Sequence, residues 1–369
     1  MISKFKYFVF QIIAAMVVLA PLILEPAYCQ SIKQNMDKAV ADLMREKKIP
    51  GAIVGVWSPA LGTWVKSFGK SDIGKGYEMR WDKKMRIGSV SQTYLVTLLL
   101  ELTDERKINL DDKVSKHLPF VTKGNNITVR QLANNTSGLF NYMDDDNFKA
   151  EVKKNPFREW QPIELTNIAL SHAPYFDPGQ GWHASDTNFI LLGMIIEKVT
   201  SESLRDTIKT KVFDKIGFTK TIFATGPFIS GDYSRGYIGE KDATVPQDIT
   251  LLDPSVMWAA GAIVSDLSDL SLWVKSLANG SLLTDKSKAA RFIWIETGQP
   301  GLKWGLGVSR IGDYIGYSGG IPGYSCAMFY LPSRETTIIV LLNKFPDDDA
   351  ANLIFKALAK IILPDSVSW

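Results

Sequence analysis

The sequence predicts a mixed α and β chain (α/β, of the α+β kind): one antiparallel sheet completed by both chain ends, with an all-helical lobe inserted between them. Three observations carry this. A helical stripe and a β-rich hairpin open the chain, with apolar residues at Ile32, Met36, Val40, Leu43 and Met44 and then the runs 51–57 and 63–69. From Thr128 to about Leu251 the pattern turns to helical segments separated by long loops. The last hundred residues return to strand-like runs at 304–311, 326–331 and 336–342 before a closing helix.

Each element has a local reason. The first helix, 31–48, stops ahead of Pro50, and Leu61-Gly62 supplies the hairpin turn. Met85 to Leu95 runs a Gly88-Ser89 turn straight into an apolar helix, 95–100. The stretch from Ile108 to Pro119 reads as a loop laid over a surface. Helices are expected at 187–199, after the turn Phe176-Asp177-Pro178-Gly179, and at 203–216 and 267–277. Pro332-Ser333-Arg334-Glu335 turns the last strand pair, and a helix over 349–362 closes the chain with Leu353, Leu358 and Ile361 inward.

Composition bounds the function. The 369 residues are 46% hydrophobic and 22% charged, with a net charge of +3 and no long basic block, which excludes nucleic acid and anionic membrane surfaces as partners. At the N-terminus Lys4 and Lys6 precede an apolar run, 7–24, and then Ala27-Tyr28-Cys29, a secretory signal pattern whose cleavage leaves Gln30 first. The expected organisation is a signal peptide over 1–29 and one domain over 30–369. Within it a sheet lobe takes about 30–85 and 256–369, and a helical lobe about 86–255. A periplasmic or secreted protein without stable membrane insertion follows. With Cys29 at the cleavage site, Cys326 is alone, so no disulfide framework is expected. Three histidines without a helical pair or a cysteine partner make a zinc site improbable, and no metal or cofactor is expected. The triplets Asp144-Asp145-Asp146 and Asp347-Asp348-Asp349 lack the spaced oxygens of a calcium loop and read as turns and a helix N-terminus.

Ser89 stands where the unpaired N–H groups of a first helical turn would favour an anion forming on a bound carbonyl. Three short elements read together resemble the group of class C β-lactamases, D-Ala-D-Ala carboxypeptidases and β-lactamase-like esterases. Ser89-Val90-Ser91-Gln92 resembles the Ser-x-x-Lys nucleophile motif, Ala184-Ser185-Asp186 the Tyr-x-Asn element, and Tyr317-Ser318-Gly319 the Lys-Thr-Gly or His-x-Gly strand. Asn135-Thr136-Ser137-Gly138-Leu139, Leu191-Leu192-Gly193, Ala260-Gly261 and Ile321-Pro322-Gly323-Tyr324 support it, over roughly residues 35–365. The resemblance implies a β-lactamase/transpeptidase-like fold and an acyl-enzyme at Ser89 on D-amino-acid peptides, β-lactams or small esters. It also implies an oxyanion hole from the backbone N–H groups of Ser89 and Gly320, and a cleft lined by Trp182, Ser318 and Gly319.

Every proton-moving position departs from that pattern. The lysine is Gln92, which accepts no proton at neutral pH; the tyrosine is Ala184; the strand cation is Tyr317; and Asp186 stands for asparagine. Impaired hydrolysis, or a cleft kept for binding peptidoglycan fragments or a protein, is the expectation. Takeover of the base role by Asp186, His183 or Tyr317 is the competing one. A tyrosine lost at Ala184 and gained at Tyr317 also suggests a phenol refilling the pocket from the facing strand, within reach of Ser89, Gln92 or Asp186. Gly316-Tyr317-Ser318-Gly319-Gly320 matches Gly-x-Ser-x-Gly, but no histidine follows Ser318, so the order of an α/β-hydrolase triad cannot be met.

Overall fold

The structure is a computed structural model that describes residues 29–239, 246–345 and 349–366. The signal-peptide reading falls on residues outside these, apart from Cys29, where the first described helix begins.

Nine strands form one fully antiparallel sheet: β1 (Gly51–Ser58), β2 (Gly62–Asp72), β3 (Tyr77–Glu78), β4 (Ile295–Glu296), β5 (Leu302–Trp304), β6 (Ser309–Ile311), β7 (Tyr314–Ile321), β8 (Tyr324–Leu331) and β9 (Thr336–Leu342). Their order is β3-β2-β1-β9-β8-β7-β6-β5-β4, so the N-terminal hairpin joins the C-terminal meander through β1 against β9, Val54 opposite Val340. The protein has the β-lactamase/transpeptidase-like fold, a mixed α and β architecture around an antiparallel sheet.

Side chains alternate across the pleat, and the alternation sorts the two cores. Val54, Val56, Ala327, Phe329, Ile338 and Val340 face α1 (29–46), while Ile53, Cys326, Met328, Tyr317, Ile339 and Leu341 face the helical lobe. In that lobe α2 (Ser91–Asp104) is buried from Ser91 through Leu102, as a helix with apolar residues all round must be. Next come α3 (Asp186–Thr200) and α4 (Leu267–Asn279), the latter packed across β7, β8 and β9. The closing helix, α5 (Ala350–Ile362), packs against β8 and β9 with α1 on the same core.

Three expectations are corrected. The run 304–311 is two short strands, β5 and β6, because Gly307 takes φ +61° and the chain turns back, pairing Trp304 with Ser309. The stretch after Ile108 is no surface loop: Ile108, Leu110, Val114 and Leu118 are buried, and Val114–His117 forms a helical turn. The apolar face of α5 is Ala351, Ile354, Phe355, Leu358 and Ile362, while Leu353 is exposed and Ile361 only partly buried. In a helix with apolar residues on several sides the sheet, not the sequence, selects the buried stripe.

Candidate active site

Ser89 sits in a 3-10 turn, Gly88–Val90, that runs directly into α2. The turn is pinned from both sides: Ile87 N–H donates to Ile263 O at 3.0 Å, and Ile263 N–H donates to Ser91 Oγ at 3.1 Å. Ile263 belongs to a small sheet in which Ile263–Ser265 lies between Met85–Arg86 and Ile222–Phe223. The turn lies flush against β7. A Cβ on Gly88 would come within 2.1 Å of the Gly320 carbonyl carbon, and one on Gly319 within 2.8 Å of Ser89 Cβ. Small residues on both elements bring the serine backbone and the strand together where the two oxyanion donors are expected.

Above Ser89 three of the substituted positions meet. Tyr317 Oη donates to Gln92 Oε1 at 2.7 Å, and Gln92 Nε2 donates to Asp186 Oδ1 at 2.8 Å. Each amide end of Gln92 thus has a partner, with a phenol on one side and a carboxylate on the other. Gln92 and Tyr317 are buried, at 2% and 6% exposure, so this chain is shielded from competing water. Ser89 Oγ is outside it: among the described residues the Ser89 hydroxyl makes no hydrogen bond.

Asp186 opens α3, and its N–H donates to Asn141 Oδ1. The residue keeps some surface, but its carboxyl is set deep. Burial pushes it up to about 6 from the ordinary 3.8; Asp144 adds a like charge, and hydrogen bonds from Asn141 and Gln92 pull the other way. The Tyr317 phenol is raised well above its usual range by burial and then by the charges of Asp186 and Asp349. A raised carboxyl favours the neutral form in the fold, so its stabilising contribution is complete below about pH 4 and lost as pH rises through 6. Asp186→Asn is therefore expected to leave the melting temperature nearly unchanged at pH 4. It should stabilise the protein at pH 7.5, by on the order of 2 kcal/mol. Unfolding curves for both proteins across that range check this; a gap constant with pH would mean that the carboxyl is ordinary.

Ala184 is exposed and contributes no polar side-chain atom. His183 is exposed too, stacked on Tyr175 with ring centroids 3.9 Å apart, with Nδ1 2.9 Å from Ala184 O. Trp182 packs against Trp304 at 5.5 Å, and Trp304 meets Tyr317 edge-on at 5.0 Å, so the three rings form one aromatic row. Ser318 Oγ lies 3.4 Å from Asp349 Oδ2. Asn135, in a left-handed conformation with φ +62°, accepts from Ser185 N–H and Asn188 Nδ2 through its Oδ1 and braces the Ala184 loop.

Two further residues, outside the three motifs, touch β7 beside Ser89: Asp349 through Ser318 and Phe345 against Gly320. Asp349 reads from the sequence only as a helix N-terminus, and Phe345, whose ring would be met at 2.3 Å by a Cβ on Gly320, carries no sequence signal.

A family model described as Beta-lactamase matches residues 36–361, nearly all of the described chain and the whole site. The chain belongs to the Beta-lactamase family. Among curated relatives, Penicillin-binding protein 4* of Bacillus subtilis is 29% identical over 315 residues, covering 80% of this chain and 68% of that protein. Protein flp of Staphylococcus aureus is 23% identical over 323 residues, covering 84% and 63%. The chain thus spans about two thirds of the length of these relatives. Among solved structures, a D-stereospecific amidohydrolase from Streptomyces sp. superposes with a TM-score of 0.80 at 28% identity, over 91% of this chain and 98% of that one. A D-amino acid amidase from Ochrobactrum anthropi SV3, at TM-score 0.78 and 22% identity over 91% and 99%, shares the fold. As a member of the Beta-lactamase family the chain is of the serine hydrolase type. No helix among the described residues is long and apolar enough to cross a membrane.

Proposed function

We propose that this protein is an exported serine hydrolase relic of the Beta-lactamase family. It holds carbonyl ligands at Ser89 and Gly320 and acylates Ser89 only at a trace rate. The observation that carries the reading is the Tyr317–Gln92–Asp186 chain: the place of a base is filled by an amide with both ends engaged, and Ser89 Oγ has no acceptor for its proton among the described residues. A positioned acid or base is worth roughly 10²- to 10⁴-fold, whereas backbone donors and binding leave roughly 10³- to 10⁴-fold over water, so ligand binding outlasts turnover. The Bacillus relative is named for penicillin binding and the Streptomyces neighbour for D-stereospecific amide hydrolysis, so penicillins and D-configured amides are the ligands to try first. A purely binding role, for peptidoglycan fragments or a protein, is the second reading, favoured by the same lack of a proton acceptor at Ser89. Export rests on Lys4, Lys6 and the apolar run, and N-terminal sequencing of the secreted form is expected to begin at or near Gln30; an intact Met1 in purified membranes would overturn it.

Fluorescent penicillin and a fluorophosphonate, followed by intact-mass measurement, separate the cases. The expected result is slow labelling, over hours and well below one equivalent, mapped to Ser89 and absent in Ser89→Ala. Tyr317→Phe should leave that rate unchanged, because the phenol donates to Gln92 and not to Ser89. Complete labelling or turnover within seconds would refute the reading, and no labelling at all would leave the binding role.

A further inference from the structure

The small sheet that pins the Ser89 turn has an open edge on its other side. Its strands lie in the order Met85–Arg86, Ile263–Ser265, Ile222–Phe223, and the last of them is paired on one side only. Phe223 stands opposite Ile263, whose N–H and C=O both turn the other way, to Ser91 Oγ and to the Ile87 N–H. In an antiparallel ladder the partner of such a residue also turns its own groups outward, so the N–H and C=O of Phe223 lie on the free edge. One residue on, Ala224 N–H donates inward to Ala262 O at 3.0 Å, as the alternation requires. Among the described residues the outward groups of Phe223 have no hydrogen-bond partner. Thr221 N–H is taken by Asp269 Oδ2 at 2.7 Å, which closes the edge at that end, while Thr225 at the other end is exposed.

A groove of about 660 Å³ runs along this edge, a size and aromatic character that suit a ligand. Its far wall is the helical run 204–216, which widens into a π turn at Lys209–Phe213, and such turns recur at functional sites. Phe213 and Phe218 supply rings 5.8 Å apart, and Phe228 stands at the rim with 78% of its surface exposed. The charged lining is two cations, Arg205 and Lys209, against one anion, Asp214. Lys209 is held by Asp214 at 2.8 Å. Arg205 spends only its Nε, on Asp206 at 3.0 Å, and its two terminal nitrogens make no hydrogen bond among the described residues.

We propose that this groove docks an extended segment of a partner protein, which adds as a fourth strand beside Ile222–Phe223. The open N–H and C=O of Phe223 exchange two main-chain hydrogen bonds with one residue of the segment, which supplies affinity for any extended chain. Apolar side chains of the segment lie on Phe213, Phe218 and Phe228, and a carboxylate meets the terminal nitrogens of Arg205, which together set the sequence preference. The strand Ile263–Ser265 stands between this edge and the Ser89 turn, so the site is separate from the cleft and does not depend on its chemistry.

The probe is acetyl-Phe-Thr-Phe-Thr-Asp amide, which in extended form carries both rings and the carboxylate on one face. Titration calorimetry with the intact chain should show saturable binding at one site. Methylating the peptide's backbone nitrogens one at a time should give an alternating pattern: at least about tenfold weaker binding where the N–H faces Phe223, and little change at the positions between. Arg205→Ala and replacement of the peptide's Asp by Asn should each weaken binding several-fold, and together no more than either alone. Phe228→Ala, at an exposed side chain, should weaken it as well. Hydrogen exchange should slow at 221–226 on binding and stay unchanged at 316–321. An even response to N-methylation overturns strand addition, and slowed exchange at 316–321 instead of 221–226 places the peptide in the Ser89 cleft and overturns the site. Self-association of the chain that the peptide competes away would assign the edge to a second copy and overturn the partner reading. No saturable binding by the unaltered protein overturns the proposal outright.

Discussion

Replacing Gln92→Lys, Ala184→Tyr, Asp186→Asn and Tyr317→His together is expected to raise the acylation rate of Ser89 by roughly 10²- to 10⁴-fold, the worth of a positioned acid and base. The fourth change is the one the structure adds. A lysine at position 92 alone would meet the Asp186 carboxylate that Gln92 Nε2 now touches at 2.8 Å. An ion pair at that distance holds the lysine proton and leaves no base at neutral pH. The triple variant that keeps Asp186 should therefore remain close to the unaltered protein, and asparagine at 186 should release it. Removing the Tyr317 ring also frees the space that its phenol fills against Gln92 and Trp304. Pseudo-first-order labelling by fluorescent penicillin across the series measures this. Equal rates for the triple and quadruple variants would remove Asp186 from the account. A quadruple variant that stays silent would mean that the backbone around Ser89 no longer supports the reaction.

The second large effect is on the backbone contact itself. Gly88→Ala is expected to destabilise the protein by about 2 to 5 kcal/mol and to abolish whatever labelling of Ser89 remains. Gly88 has φ +52°, where an L side chain costs about 1–2 kcal/mol, and its Cβ would lie 2.1 Å from the carbonyl carbon and 2.3 Å from the carbonyl oxygen of Gly320. Those atoms are main chain in β7, with Gly320 opposite Ser325 on β8, so they yield only if the sheet moves. Gly76→Ala is the control: φ is +72° but nothing lies within 4 Å of the added Cβ, so only the conformational cost of about 1 kcal/mol remains. Denaturant unfolding of the two variants should separate them clearly. A Gly88→Ala protein as stable as Gly76→Ala would show that the turn and the strand are not in contact.

The aromatic and polar surroundings of Ser89 show which part of such a site a sequence can carry. Ser89, Gln92, Ala184, Asp186 and Tyr317 are each legible because they stand in short motifs, and a motif is local. Asp349 and Phe345 are not, because what makes them cleft residues is the return of the chain beside β7 after β9, a matter of sheet order and not of neighbouring residues. The Trp304–Tyr317 contact is hidden for a similar reason: a run that alternates like one strand folds back at Gly307 into two.

By itself the sequence determined the helical stripe and hairpin near its start, the strand character of 326–331 and 336–342 near its end, and the substituted positions of the three motifs. Burial on a pleated strand alternates residue by residue, and burial on a helix recurs every turn, so these are written locally. Only the tertiary structure decided that Gln92 is spanned by Tyr317 and Asp186, partners 225 and 94 residues away, and that Ser89 is left outside the chain. It also decided that the charges of Asp186 and Asp349, from the starts of α3 and α5, act on the Tyr317 phenol. Hydrogen bonds over such separations depend on β1 pairing with β9 and on the Gly88–Val90 turn lying flush against β7, and no pattern within a window of residues encodes them.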